Sequence, residues 1–251
     1  MWLRAFMNRS VAHAVLVAGI VLPTAPAWPQ ATFNFYPTDA EWGTMPPYCQ
    51  ARYVLSSSGE RSRFVALVSL EKINYWKEQF SPECWGMLHH YCAGVVHLSR
   101  SKVGMSDRDR KWELYLAEDE FNYATKHCPS TDPFSANVAT QIAMVYAAQG
   151  RAADATSALK RAVSTHPDYD GAYIAQSILL KKAGDVAESR QVLLQGVEAT
   201  GGTAELHYAL GLSYFESKDY EAAREHARKA YALGYPIPGL RDRLKKVGYP
   251  L

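Results

Sequence analysis

The chain has 251 residues, 48% of them hydrophobic and 21% charged, with a formal net charge of +2. That length and balance allow a full buried core and exclude an intrinsically disordered chain. The near-neutral charge lacks the electrostatic footprint that binding a nucleic-acid backbone requires.

Arg4 and Arg9 precede an uncharged apolar run from Val11 to Leu22, which is followed by Pro23, Thr24, Ala25, Pro26 and Ala27. This is the layout of an export signal, with the cut expected after Ala27. The apolar run, about 12 residues, is short of the roughly 20 needed to cross a bilayer, so no stable membrane span is expected after cleavage. The first cysteine, Cys49, lies far from the cut, which argues against a lipid-modified amino terminus. Removing Arg4 and Arg9 brings the formal charge to about zero, and the chain is expected in the periplasm or outside the cell. Four cysteines, Cys49, Cys84, Cys92 and Cys128, then enter an oxidising compartment. Disulfides are expected there, with three pairings open.

Residues 28–81 divide in two. Residues 28–59, rich in proline, serine and aromatics, read as an irregular strap. Glu60 to Phe80 places Phe64, Leu67, Val68, Tyr75 and Phe80 as the apolar side of a packing helix. From Pro82 to Pro129 two helical segments flank a charged stretch, Arg100 to Lys111, which carries Gly104, Asp107 and Asp109 and reads as an extended turn. The first segment holds His89, His90, Cys92 and His97. His90 and His97 stand seven apart on one helical face, where both could approach a metal if further ligands came from elsewhere. The plainer reading packs these histidines and the thiol in a helix hairpin.

In the carboxy-terminal half, small and apolar residues recur every 34 residues, in copies that start at Ala136, Asp170 and Ala204. The first copy has Ile142, Ala143, Tyr146, Gly150, Ala155, Leu159, Ala162 and Pro167. The third has Leu210, Gly211, Tyr214, Tyr220, Ala223, Ala227 and Ala230, with Lys218 at the turn glycine and Tyr235 at the proline. The middle copy keeps Tyr173, Gly184, Val186, Leu193 and Gly196, with Ser177 and Ser189 at the two small positions and Gly201 at the proline. Small side chains let two helices approach, large ones fill the groove between them, and glycine permits the left-handed turn that links them. After the third copy, Pro238 to Val247 reads as a capping helix within 238–251, with Leu240, Leu244 and Val247 inward and Arg241, Arg243, Lys245 and Lys246 outward.

This pattern resembles the tetratricopeptide-repeat family. The resemblance implies an all-α, right-handed solenoid of helix hairpins over 136–169, 170–203 and 204–237. Carried backward from Pro129, it puts Ala117, Phe121 and Ala124 on a second helix. Trp85, Leu88 and Cys92 then match the first, giving a fourth hairpin at 82–129 interrupted by a 16-residue insertion near 100–111. His89 falls where the family has a small residue. Cys84 and Cys128 become neighbours at the open end of that hairpin, which leaves Cys49 and Cys92 to each other.

The family's concave face corresponds to Met144, Ile174, Ile178, Tyr208, Leu212 and Phe215, an apolar groove with Lys181 and Lys182 as a basic rim. Some relatives hold a terminal carboxylate with lysine, asparagine and arginine. Thr140, Met144, Ala175, Glu205 and Ala209 stand at those positions here, so that clamp is missing. The resemblance implies a non-enzymatic scaffold without a cofactor, holding an apolar segment of another envelope protein for a secretion, pilus or polysaccharide-export machine. The chain lacks a Gly-x-Ser-x-Gly elbow, a phosphate-binding glycine loop and a His-Glu-x-x-His motif. The rival reading is a metal-binding or redox accessory protein built on the His89–His97 region.

Overall fold

A computed structural model describes residues 34–251; the expected export signal, residues 1–27, and residues 28–33 of the expected strap lie outside the described residues. The described chain is an all-α solenoid. Eight of its helices form four antiparallel hairpins: α4 (Pro82–Arg100) with α5 (Asp107–His127), α6 (Phe134–Ala148) with α7 (Ala152–Thr165), α8 (Asp170–Ala183) with α9 (Val186–Thr200), and α10 (Ala204–Glu216) with α11 (Tyr220–Ala232). No described helix is long and apolar enough to cross a membrane.

Each hairpin closes where side chains are smallest. Ala143 and Ala155 have no exposure in the second hairpin. In the fourth, a methyl group added at Gly211 would lie 3.4 Å from the Ala223 carbonyl. The third hairpin has serines at both positions, and these satisfy each other, with Ser177 Oγ 2.8 Å from Ser189 Oγ and both residues buried. The turns follow the same register. Gly150 and Gly184 adopt φ of 81° and 95°, and Lys218 adopts 64° at the equivalent turn, a conformation that disfavours any side chain.

The first hairpin departs from the expected register. Its close-approach residue is Gly94, where an added methyl group would lie 2.9 Å from the Phe121 ring; His89 is only half-buried, away from that contact. Gly94 and Ala117 are 23 positions apart, against 12 for Gly211 and Ala223, so the insertion is 11 residues and not 16. It is also mostly helical: the turn is confined to residues 101–106, and α5 gains about two turns at its start.

The strap is more regular than its composition implies. It forms α1 (Asp39–Thr44) and α2 (Pro47–Tyr53). Thr38 and Glu41 cap α1 reciprocally, and Pro47 opens α2 where a missing N–H costs nothing. The single packing helix expected over 60–80 is instead two short 3-10 turns, Gly59–Arg61 and Arg63–Leu67, followed by α3 (Leu70–Glu78), which is capped by Ser69 and has no fully buried residue. Phe64 is buried and stacks on Trp42 at 4.3 Å, whereas Leu67 and Tyr75 face solvent. Cys49 on α2 pairs with Cys92 on α4, and Cys84 pairs with Cys128 at the open end of the first hairpin, with Cα atoms 5.5 and 4.4 Å apart.

At the other end, α12 (Gly239–Lys246) rests on α10 and α11, where the first helix of another repeat would lie. Leu240 and Leu244 are fully buried, whereas Val247, expected inward, is exposed.

Gly94→Val is expected to destabilise the chain by about 2 kcal/mol or more through overpacking against Phe121. His89→Ala is expected to cost less than half as much. Urea denaturation of the two variants tests the Gly94 register.

Candidate protein-binding groove

The first helices α8 and α10 lie side by side, and residues four apart on each share a face. Ile174 and Ile178 on α8 thereby meet Tyr208 and Leu212 on α10 around one open cavity of about 370 Å³, with Lys181 at its edge. Val186 and Leu193 of α9 and Ala209 of α10 extend the apolar lining. Ile178 is 49% exposed and so leaves about half its surface open to solvent.

Three expected groove residues lie elsewhere. Lys182, one residue beyond Lys181 and so turned about 100° round the helix, lines a separate cavity with Ala147, Leu159 and Leu179. Met144 is partly buried against the main core. Phe215 packs on Tyr220 at 5.3 Å, beside the cluster that α12 covers. The basic rim is also absent, because Lys181 Nζ lies 2.6 Å from the Glu216 carboxylate and the pair joins α8 to α10. Glu205 adds a further carboxylate to the lining.

Tyr235 was not among the expected groove residues, although it stands in the proline position of the third repeat. It stacks on Tyr208, with ring centroids 4.0 Å apart, and forms one wall of the cavity. The substitution at that position was the available signal. It marks a loop that turns back over α10 instead of leaving it.

His90 and His97 are not brought to a common point. His90 Nδ1 lies 2.6 Å from Glu120, and His97 Nδ1 lies 2.6 Å from Glu113, so each imidazole bridges α4 to α5 separately. Among the described residues, Cys84, Cys128 and Asp132 are close enough to share an ion, but the two sulfurs are already joined to each other.

Comparisons with known proteins find the repeat family that the sequence pattern resembles. Models of the tetratricopeptide repeat match residues 146–213 and 204–234. Residues 146–234 carry tetratricopeptide repeats. Such repeats mark a protein-interaction scaffold. Among solved structures, the chain is similar to a thermophilic TPR protein of Thermus thermophilus, at 17% identity and a TM-score of 0.40, over 64% of this chain and 92% of that one. No curated protein matches.

Beside the groove, His207 and His226 place their Nδ1 atoms 3.1 Å apart, an arrangement that needs at least one neutral ring. Burial, then His207 and Lys229, pull His226 down to about 4, and burial followed by Lys229 lowers His207. Both groups titrate below the ordinary 6.5, so the unfolded chain binds more protons than the folded one as pH falls. Their contribution is complete above about pH 6.5 and is lost towards about pH 4. The melting temperature is expected to fall across that window, and His226→Asn should flatten the fall.

Proposed function

We propose that the chain is an exported scaffold or assembly factor for a cell-envelope complex, such as a secretion, pilus or polysaccharide-export machine, and that it carries out no chemistry of its own. It holds an apolar segment of another envelope protein between α8 and α10, by helix-in-groove or extended-segment recognition. The observation that carries this reading is the convergence of Ile174, Ile178, Tyr208 and Leu212 on one open cavity of a repeat array. The missing carboxylate clamp favours an internal apolar segment over a free carboxy terminus.

Export is supported by the amino-terminal signal pattern and by four cysteines placed as two pairs in the first hairpin and the segment before it. Peptide mapping of unreduced protein taken from the periplasm is expected to recover Cys49 with Cys92 and Cys84 with Cys128. Recovery of four free thiols would refute an oxidising destination.

Ile178 is the position to alter, because Tyr208 also supports Tyr235 and the cap. A photo-reactive residue at position 178 is expected to crosslink one envelope protein in the cell, and Ile174→Glu in the same chain should reduce that crosslink at least tenfold while helical content stays unchanged. A crosslink that Ile174→Glu leaves intact sinks the groove assignment.

A further inference from the structure

The first hairpin outreaches its neighbour. Glu118 on α5 accepts hydrogen bonds from Gln149 and Arg151, at the turn between α6 and α7. Residues 107–117 therefore lie beyond the end of the second hairpin, about 16 Å of additional helix. On the α4 side, this end is tied to α1 by the ion pair of Arg100 with Glu41. Among the described residues, the outer side of α5 has no such cover.

Apolar side chains that a buried surface would normally absorb are concentrated there. Val103 is 68% exposed, Met105 38%, Trp112 58% and Tyr115 56%, and the Trp112 and Tyr115 rings stack at 5.4 Å. Leu114, Ala117, Phe121 and Ala124 are the buried residues of α5, so helical spacing puts Arg108, Trp112 and Tyr115 on the opposite face. Cations surround them. Arg110 is paired with Asp107; Asp109 accepts a hydrogen bond from Ser106 and keeps its charge, whereas the three cations Lys102, Arg108 and Lys111 make no ion pair among the described residues.

We propose that this tip docks on the surface of an anionic lipid bilayer. Tryptophan and tyrosine rings suit the headgroup region, where one edge is apolar and the other wet. Val103 and Met105, in the turn itself, enter the acyl boundary, while Lys102, Arg108 and Lys111 meet lipid phosphates. The shape favours lipid over a protein partner: the tip is a narrow convex end that a soft interface closes around, whereas a protein would have to supply a matching cavity. Attachment is peripheral and reversible, and it leaves the groove between α8 and α10 free on another part of the array.

The test uses the purified chain without residues 1–27, whose own apolar run would bind lipid, and vesicles of phosphatidylglycerol with phosphatidylethanolamine against vesicles of phosphatidylcholine. The chain is expected to sediment with the anionic vesicles, to be released by salt, and to ignore the neutral ones. Each of Lys102→Glu, Arg108→Glu and Lys111→Glu should lower partitioning about fivefold or more. These residues are exposed, so circular dichroism should be unchanged. Brominated phosphatidylglycerol is expected to quench tryptophan fluorescence in the parent chain and much less in Trp112→Phe. Equal binding to both vesicle types, quenching that survives Trp112→Phe, or no sedimentation with any vesicle overturns the proposal; the last result would leave a protein as the partner of the tip.

Discussion

Two helices can close to backbone contact only where one of them carries almost no side chain, and in this protein that requirement sets the dimensions of every hairpin. Gly94 gives way to the Phe121 ring, Ala143 and Ala155 are both fully enclosed, and Gly211 runs beneath Leu240 and along the Ala223 carbonyl. Ser177 and Ser189 meet the same requirement differently: their buried hydroxyls bond to each other, and the Ser189 hydroxyl also reaches the Ser177 carbonyl. Once that contact is fixed, the turn and the outward faces of both helices are fixed with it. Ile174 with Ile178, and Tyr208 with Leu212, face the groove because Ser177 and Gly211 face inward.

The repeat half was legible in the sequence because its period carries residue size as well as hydrophobicity, and small residues at a set interval have few other uses. The first hairpin was misread for the converse reason. Trp85, Leu88 and Cys92 have the spacing of a first helix, but at least two of them are occupied by the amino-terminal segment. Cys92 is bonded to Cys49, and Trp85 packs against Phe80 while its carbonyl accepts a hydrogen bond from Arg52. Large residues can satisfy a pattern while packing against something the pattern does not include. Gly94, with no side chain to lend elsewhere, marked the true contact. The helices α1 and α2, of six and seven residues, are too short to show a period.

The groove was partly legible for a related reason. Resemblance to a repeat family identifies which face of a helix points inward along the array, but not what lies on that face. Phe215 is covered through the cap and its surroundings, a packing that depends on residues 239–246. Lys181 announces a cation, yet its partner Glu216 belongs to the next repeat, 35 positions later. Tyr235 enters from a loop, where periodicity has nothing to report.

The width of the groove is set by a buried joint behind it, of which Leu193 also reaches the lining. Lys181 and Glu216 are both about half exposed, and an ion pair in that position contributes little to holding α8 and α10 apart or together. Tyr173, Leu206 and Leu210 form a buried cluster with Val192 and Leu193, and that cluster meets α9 at Gly196. A methyl group at Gly196 would lie 2.9 Å from both Tyr173 and Leu206. The missing side chain at Gly196 therefore lets the third and fourth hairpins nest, and the spacing of Ile178 from Tyr208 follows from that nesting. On the proposed reading, a partner that fills the cavity would leave this buried joint unchanged, and recognition would depend on the fit of its apolar side chains to a preformed gap.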